Sequence, residues 1–388
     1  MSLANNILDA MKTVLPQGGG FLPLHEPVFP GNELAYTKEC IETTFVSSVG
    51  KFVDRFEEML ADYTGAKRAV AVTNGTAALH MALMLGGVKA GDEVIIPGLT
   101  FVATANAVAY TGAIPHIVDS EETTLGIDAD KLDAHLSTLA EIRDSECFNK
   151  ETGRRISALV PMHVFGIPSD IDGLLAVCEK YSIPMVEDAA EAIGSFYKGK
   201  HCGRFGKVAS LSFNGNKTIT TGGGGAILTD DEELGALCKY LTTTAKVPHK
   251  WEYFHDMVGY NYRMPNINAA LGCAQMEKLD EILLSKRKLA EKYVEAFANV
   301  EGVRFLKDPE QCSSNYWFCT IILEKGFEAE RDSILEATNG AAYMTRPLWT
   351  AMHRLPMYEN CPKSDMNVAE SLEKRVINIP SGAGIIGV

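Results

Sequence analysis

Between about Ala69 and Asp230 the chain alternates short apolar runs with stretches of helical spacing. Seven runs read as strands: Val70–Thr73, Glu93–Pro97, Ile114–Val118, Ala158–Val164, Pro184–Glu187, Ala209–Phe213 and Gly225–Leu228. Thr76–Leu85, Phe101–Tyr110 and Ile171–Tyr181 read as helices between them. Such alternation predicts βαβ units, hence an α/β fold with a mainly parallel seven-stranded sheet and helices on both faces. Ligands of these sheets bind beyond the carboxyl ends of the strands, so the residues just after each strand are where chemistry belongs. Past Pro265, the apolar residues Leu279, Ile282, Leu289, Tyr293 and Phe297 fall near helical spacing with Lys and Glu between them. That pattern predicts a long amphipathic helix. The chain thus divides into an N-terminal segment (1–35), a large domain (36–265), and a linking helix with a smaller C-terminal α+β domain (266–388). Ile142–Arg155 is polar and without a period, and reads as an exposed loop, structural or ligand-binding.

Composition narrows the function. With 388 residues, 46% apolar and 22% charged, the chain is neither disordered nor fibrous. Its net charge of −14 disfavours sequence-independent nucleic-acid binding, which needs clustered Lys and Arg. An anionic ligand can still be held in a local basic or dipolar pocket. No run reaches the ~18 apolar residues of a membrane span, and the first residues lack a basic start and long apolar core. A cytoplasmic protein is the expectation. Nine scattered cysteines, an odd number with no C-x-x-C pair, favour free thiols over disulfides or a zinc site.

Three strand ends carry candidate chemistry. The first runs into Thr73-Asn74-Gly75-Thr76, where a small turn opening a helix offers backbone N–H groups and a positive dipole end to a phosphate. Asn74 or Thr76 as a plain helix cap is an equal alternative. The fifth ends in Glu187-Asp188, where a carboxylate can serve a metal, a ribose or a protonated ring nitrogen, or simply cap a helix. The sixth ends in Ser212-Phe213, followed by Asn214-Gly215-Asn216-Lys217 and then Gly222–Gly225. A lysine framed by small residues there is a candidate Schiff-base lysine; a solvated lysine and a hairpin turn are the alternatives. No P-loop and no dinucleotide-binding glycine pattern occurs. An amine, a carboxylate for a ring nitrogen and a phosphate cup together are what pyridoxal 5'-phosphate requires.

At this point the chain resembles the DegT/StrS-type sugar aminotransferases, pyridoxal phosphate enzymes of the aspartate-aminotransferase-like fold. NGTAAL, PGLTF, VEDAAEA, SLSFNGNKTITTGGGGAI and GYNYRMPNINAALG carry the resemblance. It implies that Lys217 forms the Schiff base and Asp188 pairs with the pyridine nitrogen. Gly75, Thr76 and Ser212 would hold the phosphate, and Phe101 would lie on the cofactor face. Asn261 would reach the phosphate of the neighbouring subunit's cofactor, making the enzyme a homodimer with shared sites. One position departs from the family pattern. Three residues after the aspartate, where His or Gln often touches the cofactor's phenolic oxygen, this chain has Glu191. PLHEPVFPGNE, SSVGKFVDRFE, FNKETGRRI and PMHVFGIPSDIDGL further resemble the subgroup acting on UDP-linked 4-keto-6-deoxy-N-acetylhexosamines, in legionaminic acid and bacillosamine pathways. The implied reaction is amination of the sugar's C4 ketone with an amino-acid donor, glutamate being expected. Arg346 lies where substrate contacts would fall. The rivals are a dehydratase of the same family, a non-catalytic binding protein with this fold, and a nicotinamide-dependent oxidoreductase. The resemblance implies that the dehydratases carry histidine in place of the lysine, so Lys217 opposes the first.

Overall fold

The computed structural model describes residues 2–18 and 20–387. Helices α1 (Leu3–Val14), α2 (Glu33–Glu42) and α3 (Lys51–Thr64) come first. Then β1 (Arg68–Val72), α4 (Gly75–Gly86), β2 (Glu93–Pro97), α5 (Val102–Tyr110), β3 (Ile114–Val118) and α6 (Ala129–Leu139) alternate. A hairpin of β4 (Ala140–Arg143) and β5 (Glu146–Asn149) leads into β6 (Arg155–Leu159), α7 (Ile171–Tyr181) and β7 (Val186–Asp188). Short β8 (Phe196–Tyr197) and β9 (Lys200–His201) precede β10 (Val208–Ser212), β11 (Gly225–Thr229) and α8 (Glu232–Thr242).

Seven of these strands form the central sheet in the spatial order β3-β2-β6-β7-β10-β11-β1, with β6 and β7 joined by parallel bridges at Leu159–Met185 and Met162–Asp188. Only β11 runs against its two neighbours. The expected mainly parallel, aspartate-aminotransferase-like sheet is therefore present. Strand alternation sorts its two faces. Val70 and Val72 of β1 join the core built with α4 and α5, while Ala69 and Ala71 join the core built with α3 and the later α9 (Asn266–Met276). Every residue of β2 is buried, as expected of a strand covered on both faces.

The long helix α10 (Leu279–Phe297) buries the predicted apolar stripe. It leads to β12 (Val303–Phe305), β13 (Cys312–Ser313), β14 (Cys319–Leu323), α11 (Arg331–Gly340), β15 (Arg346–Pro347), α12 (Asn367–Arg375) and β16 (Val376–Ile379). Four of these strands make a second, antiparallel sheet in the order β12-β14-β16-β15. Ile7, Met11 and Leu15 of the N-terminal segment share its core with Leu289, Tyr293 and Ile321. All nine cysteines are free thiols. Among the described residues no helix is long and apolar enough to cross a membrane.

Two expectations are corrected. The strand placed at Ala158–Val164 occupies Arg155–Leu159, and residues 164–166 form a 3-10 turn in which Phe165 takes a left-handed backbone (φ 57°). The Ile142–Arg155 segment is not a free loop, because β5 pairs antiparallel with β6. Its polar inward residues hid this. Asn149 at the end of β5 and Thr152 in the turn after it donate to the two oxygens of buried Glu93, so a polar group fills an inward position where a strand pattern calls for an apolar one.

Candidate active site

The first wall of the site is the start of α4. Asn74 is its N-cap, its Oδ1 accepting the Ala77 N–H at 2.8 Å. The capping reading therefore holds for Asn74. The N–H groups of Gly75 and Thr76, in the first turn, have no intrahelical acceptor and remain available for an anion. Close packing sets this terminus against the sheet. A Cβ on Gly75 would lie 2.6 Å from the Cβ of Ser212, and one on Gly225 would lie 2.6 Å from the Asn74 carbonyl carbon. Larger residues at either place would push the helix away from the strand end.

The second wall is the end of β7, where two adjacent carboxylates face opposite ways. Glu187 is saturated: it accepts N–H groups of Gly203, Phe205 and Gly206 at 2.6–2.7 Å and the His163 ring at 3.2 Å. Burial pushes its pKa up, but these donors outweigh burial and hold it below the ordinary range. Asp188 has fewer partners and borders the cavity. Its Oδ2 accepts the Thr104 hydroxyl at 2.7 Å and its Oδ1 the Ala190 N–H at 3.2 Å. Burial raises its pKa, with Thr104 and Ala190 acting against the rise.

The third wall follows β10. The Thr221 N–H returns to the Phe213 carbonyl at 3.0 Å, closing the loop that carries Lys217. Lys217 Nζ lies 3.1 Å from Glu191 Oε1 and 3.7 Å from the centre of the Trp317 ring. Trp317 is itself pinned by its indole N–H to the Asn216 carbonyl at 2.7 Å. Burial pushes the Glu191 carboxyl up to about 7, against the pull of the Lys217 charge.

Seven of the eight residues that the resemblance places at the cofactor, Gly75, Thr76, Phe101, Asp188, Glu191, Ser212 and Lys217, line one cavity of about 240 Å³. Phe101 stands half-exposed at its edge, with its ring centre 6.0 Å from that of Trp349. Asn261 is not among them. It is exposed, accepts the Arg263 Nε–H at 3.2 Å, and borders a separate hollow with Ser47, Ser48, Thr73 and Gly223. Arg346 is exposed, its guanidinium donating to Asn339 and to the Thr345 carbonyl. Thr104, Phe165, Asn315 and Trp317 were not found from the sequence. Thr104 had one usable signal, a hydroxyl one turn after the predicted ring-stacking position. The other three come from distant segments with no spacing to mark them.

This donor set fits pyridoxal phosphate. Free helix N–H groups and Ser212 face one end, a buried carboxylate another, and a lysine amine lies within the same cavity. The chain belongs to the DegT/DnrJ/EryC1/StrS aminotransferase family, whose pattern it matches over residues 30–386. It is 38% identical to a GDP-perosamine synthase of Caulobacter vibrioides, over 92% of each chain. It is 36% identical to one of Vibrio cholerae, over 94% of this chain and 95% of that one. A Streptococcus pneumoniae protein solved in its PLP form superposes with a TM-score of 0.83 at 25% identity, over 93% of each chain. The protein is a sugar aminotransferase, and pyridoxal phosphate is its cofactor.

Proposed function

We propose that the enzyme moves an amino group, with glutamate as donor, onto the C4 ketone of a nucleotide-linked 4-keto-6-deoxyhexose. The observation that carries this reading is the meeting of Lys217, Asp188 and the α4 N-terminus around one cavity. The chemistry supplied by bound pyridoxal phosphate is an aldehyde to receive the amino group and a ring to delocalise carbanion electrons. Each protein group then has a task. Gly75 and Thr76 N–H groups and Ser212 bind the phosphate. Asp188 keeps a proton on the pyridine nitrogen. Phe101 would cover the ring face. Lys217 Nζ would be the amine that holds the cofactor's aldehyde carbon and the base that moves a proton to and from the reacting substrate carbon.

Two observations bear on the nucleotide. The short motifs PLHEPVFPGNE, SSVGKFVDRFE, FNKETGRRI and PMHVFGIPSDIDGL favour UDP-linked N-acetylhexosamines. Relatives named GDP-perosamine synthases match over more than nine-tenths of the chain, and that longer match weighs more. The test is mass spectrometry of products from GDP- and UDP-linked 4-keto-6-deoxy sugars with glutamate. The expected result is an amino sugar from the GDP arm. Product from the UDP arm alone would reverse the ranking, and product from neither would overturn the substrate class.

The proposed assembly is a homodimer with shared sites. Apolar side chains left exposed at Phe45, Val49, Trp251, Tyr253 and Val258 lie in the segments leading to the Asn261 hollow, and they support a second copy as the missing cover. Inactive Lys217→Ala and Asn261 variants, refolded together, should regain activity at up to about a quarter of the sites, because half the dimers are mixed and one site of each is intact. Mixed dimers shown by tagged pull-down that stay inactive would contradict shared sites.

A further inference from the structure

Glu191 is 3% exposed, and its two oxygens have different partners. Oε2 accepts the Phe165 N–H at 2.8 Å, and Oε1 takes Lys217 Nζ at 3.1 Å. The left-handed turn at Phe165 (φ 57°) aims that N–H inward. From a third side, Asn315 Nδ2 donates to the Glu191 carbonyl at 2.7 Å. Asn315 fits because the residue after Phe165 is Gly166, where a Cβ would lie 1.9 Å from the Asn315 Oδ1. The carboxyl is thus anchored with one oxygen turned to the amine. The other charged or titratable groups near the pair are Asp188, which disfavours a second negative charge on Glu191, and His25, buried with both ring nitrogens unpartnered and within electrostatic reach of Lys217. The Trp317 face beneath Nζ completes the enclosure.

An ammonium cannot attack an aldehyde or take a proton from carbon; the neutral amine can. Releasing the lysine proton to water from this enclosure would leave the carboxylate as an uncompensated buried charge. We propose that Glu191 is a catalytic carboxyl that accepts the Lys217 proton directly. The N–H bond at Nζ breaks, the nitrogen keeps its lone pair, and an O–H bond forms at Oε1. Ammonium and carboxylate become amine and carboxylic acid, and the pair is neutral overall before and after. Burial has already brought the Glu191 carboxyl up to about 7, which makes it a better proton acceptor than an ordinary carboxylate. The inference rests on Lys217 being the Schiff-base residue.

The test strips and reloads the whole enzyme with pyridoxal phosphate and follows growth of the visible band from about pH 5 to about pH 10, across the carboxyl and amine ranges. In the parent, capture is fast at neutral pH and falls as acid protonates Glu191. Glu191→Gln has no acceptor, so capture should be roughly tenfold or more slower at pH 7, with the loss shrinking towards pH 10 as hydroxide takes the proton. Glu191→His, with an acceptor titrating near neutrality, should restore the neutral limb, and it decides the matter if the Gln variant does not fold. An unchanged profile, a slowing by one constant factor at every pH, or a His variant that captures only in alkali would overturn the proposal. Borohydride trapping and peptide mass mapping accompany each variant. A label absent from Lys217 in the parent would sink the Schiff-base assignment instead, which keeps the two failures distinct.

Discussion

The cavity at the sheet's carboxyl edge and the seam between α10 and the second sheet each hold a lysine withdrawn from water, and both lysines touch Trp317. Lys217 lies against its ring and is in contact with Glu191, both lining one cavity. Lys286, 1% exposed, donates to the Ser381 carbonyl at 2.6 Å and the Trp317 carbonyl at 3.3 Å. Among the described residues it pairs with no carboxylate, and burial pulls its pKa down to about 7. A depressed amine pKa is often read as a mark of catalysis. Here the lysine with that depression is a structural tie, joining the linking helix to the end of β16. The lysine in the cavity is instead set apart by its neighbours: one carboxylate in contact with it, a second lining the same cavity, and the open N-terminus of α4. Burial makes an amine available, but only a cavity with complementary partners gives it something to act on.

The comparison breaks most readily at Lys217. Lys217→Ala should abolish the visible band and lower turnover by roughly 10³-fold or more, within the range of a lost acid–base group. Lys286→Met should keep the band. A borohydride label that moved to Lys286 would show that burial alone suffices. Next comes Asp188→Asn, expected to lower kcat/KM by about 100-fold, or roughly 2.7 kcal/mol, because a neutral amide no longer holds the ring proton. A variant within twofold of the parent would assign that task elsewhere. Thr104→Val removes the hydroxyl on Asp188 Oδ2. It should weaken cofactor affinity about tenfold, in line with one lost bond to a charged group, with most of the loss restored in Thr104→Ser. Cofactor titration of the stripped protein measures both.

The smallest expected effect is on stability at the seam. The folded pKa of Lys286, about 7, lies below its unfolded value. Between the two, the unfolded chain holds the proton and the folded chain does not, so stability from this group rises with pH from about 7 to about 10. The slope is at most about 1.4 kcal/mol per pH unit. Denaturant midpoints at two pH values in this window should show the rise in the parent and its loss in Lys286→Met. Parallel behaviour of the two proteins would remove Lys286 from the comparison.

Much of the site could be read without the structure because it sits at strand ends. Asp188, Ser212 and Gly75 each fall at or just beyond a short apolar run, and a parallel sheet carries such positions to a common edge whatever the details of packing. The residues that tune them could not be read this way. Thr104 reaches Asp188 from 84 positions away, and Trp317 reaches Asn216 from 101. The β4–β5 hairpin escaped for a related reason: its inward polar groups make sense only once Glu93 is known to lie opposite.

The sequence by itself determined the alternation of strands and helices, the order of the chemical groups along them, and the glycines that let α4 approach the sheet. These depend on short-range rules of period, capping and steric size. Tertiary structure alone decided that Glu187 is spent on a buried loop while Asp188 faces the cavity, that Glu191 meets the lysine, and that Asn261 stands outside its own chain's site. Each of those outcomes depends on which distant donor or acceptor arrives within bonding distance, and in a buried setting that arrival, more than residue type, sets where a proton resides.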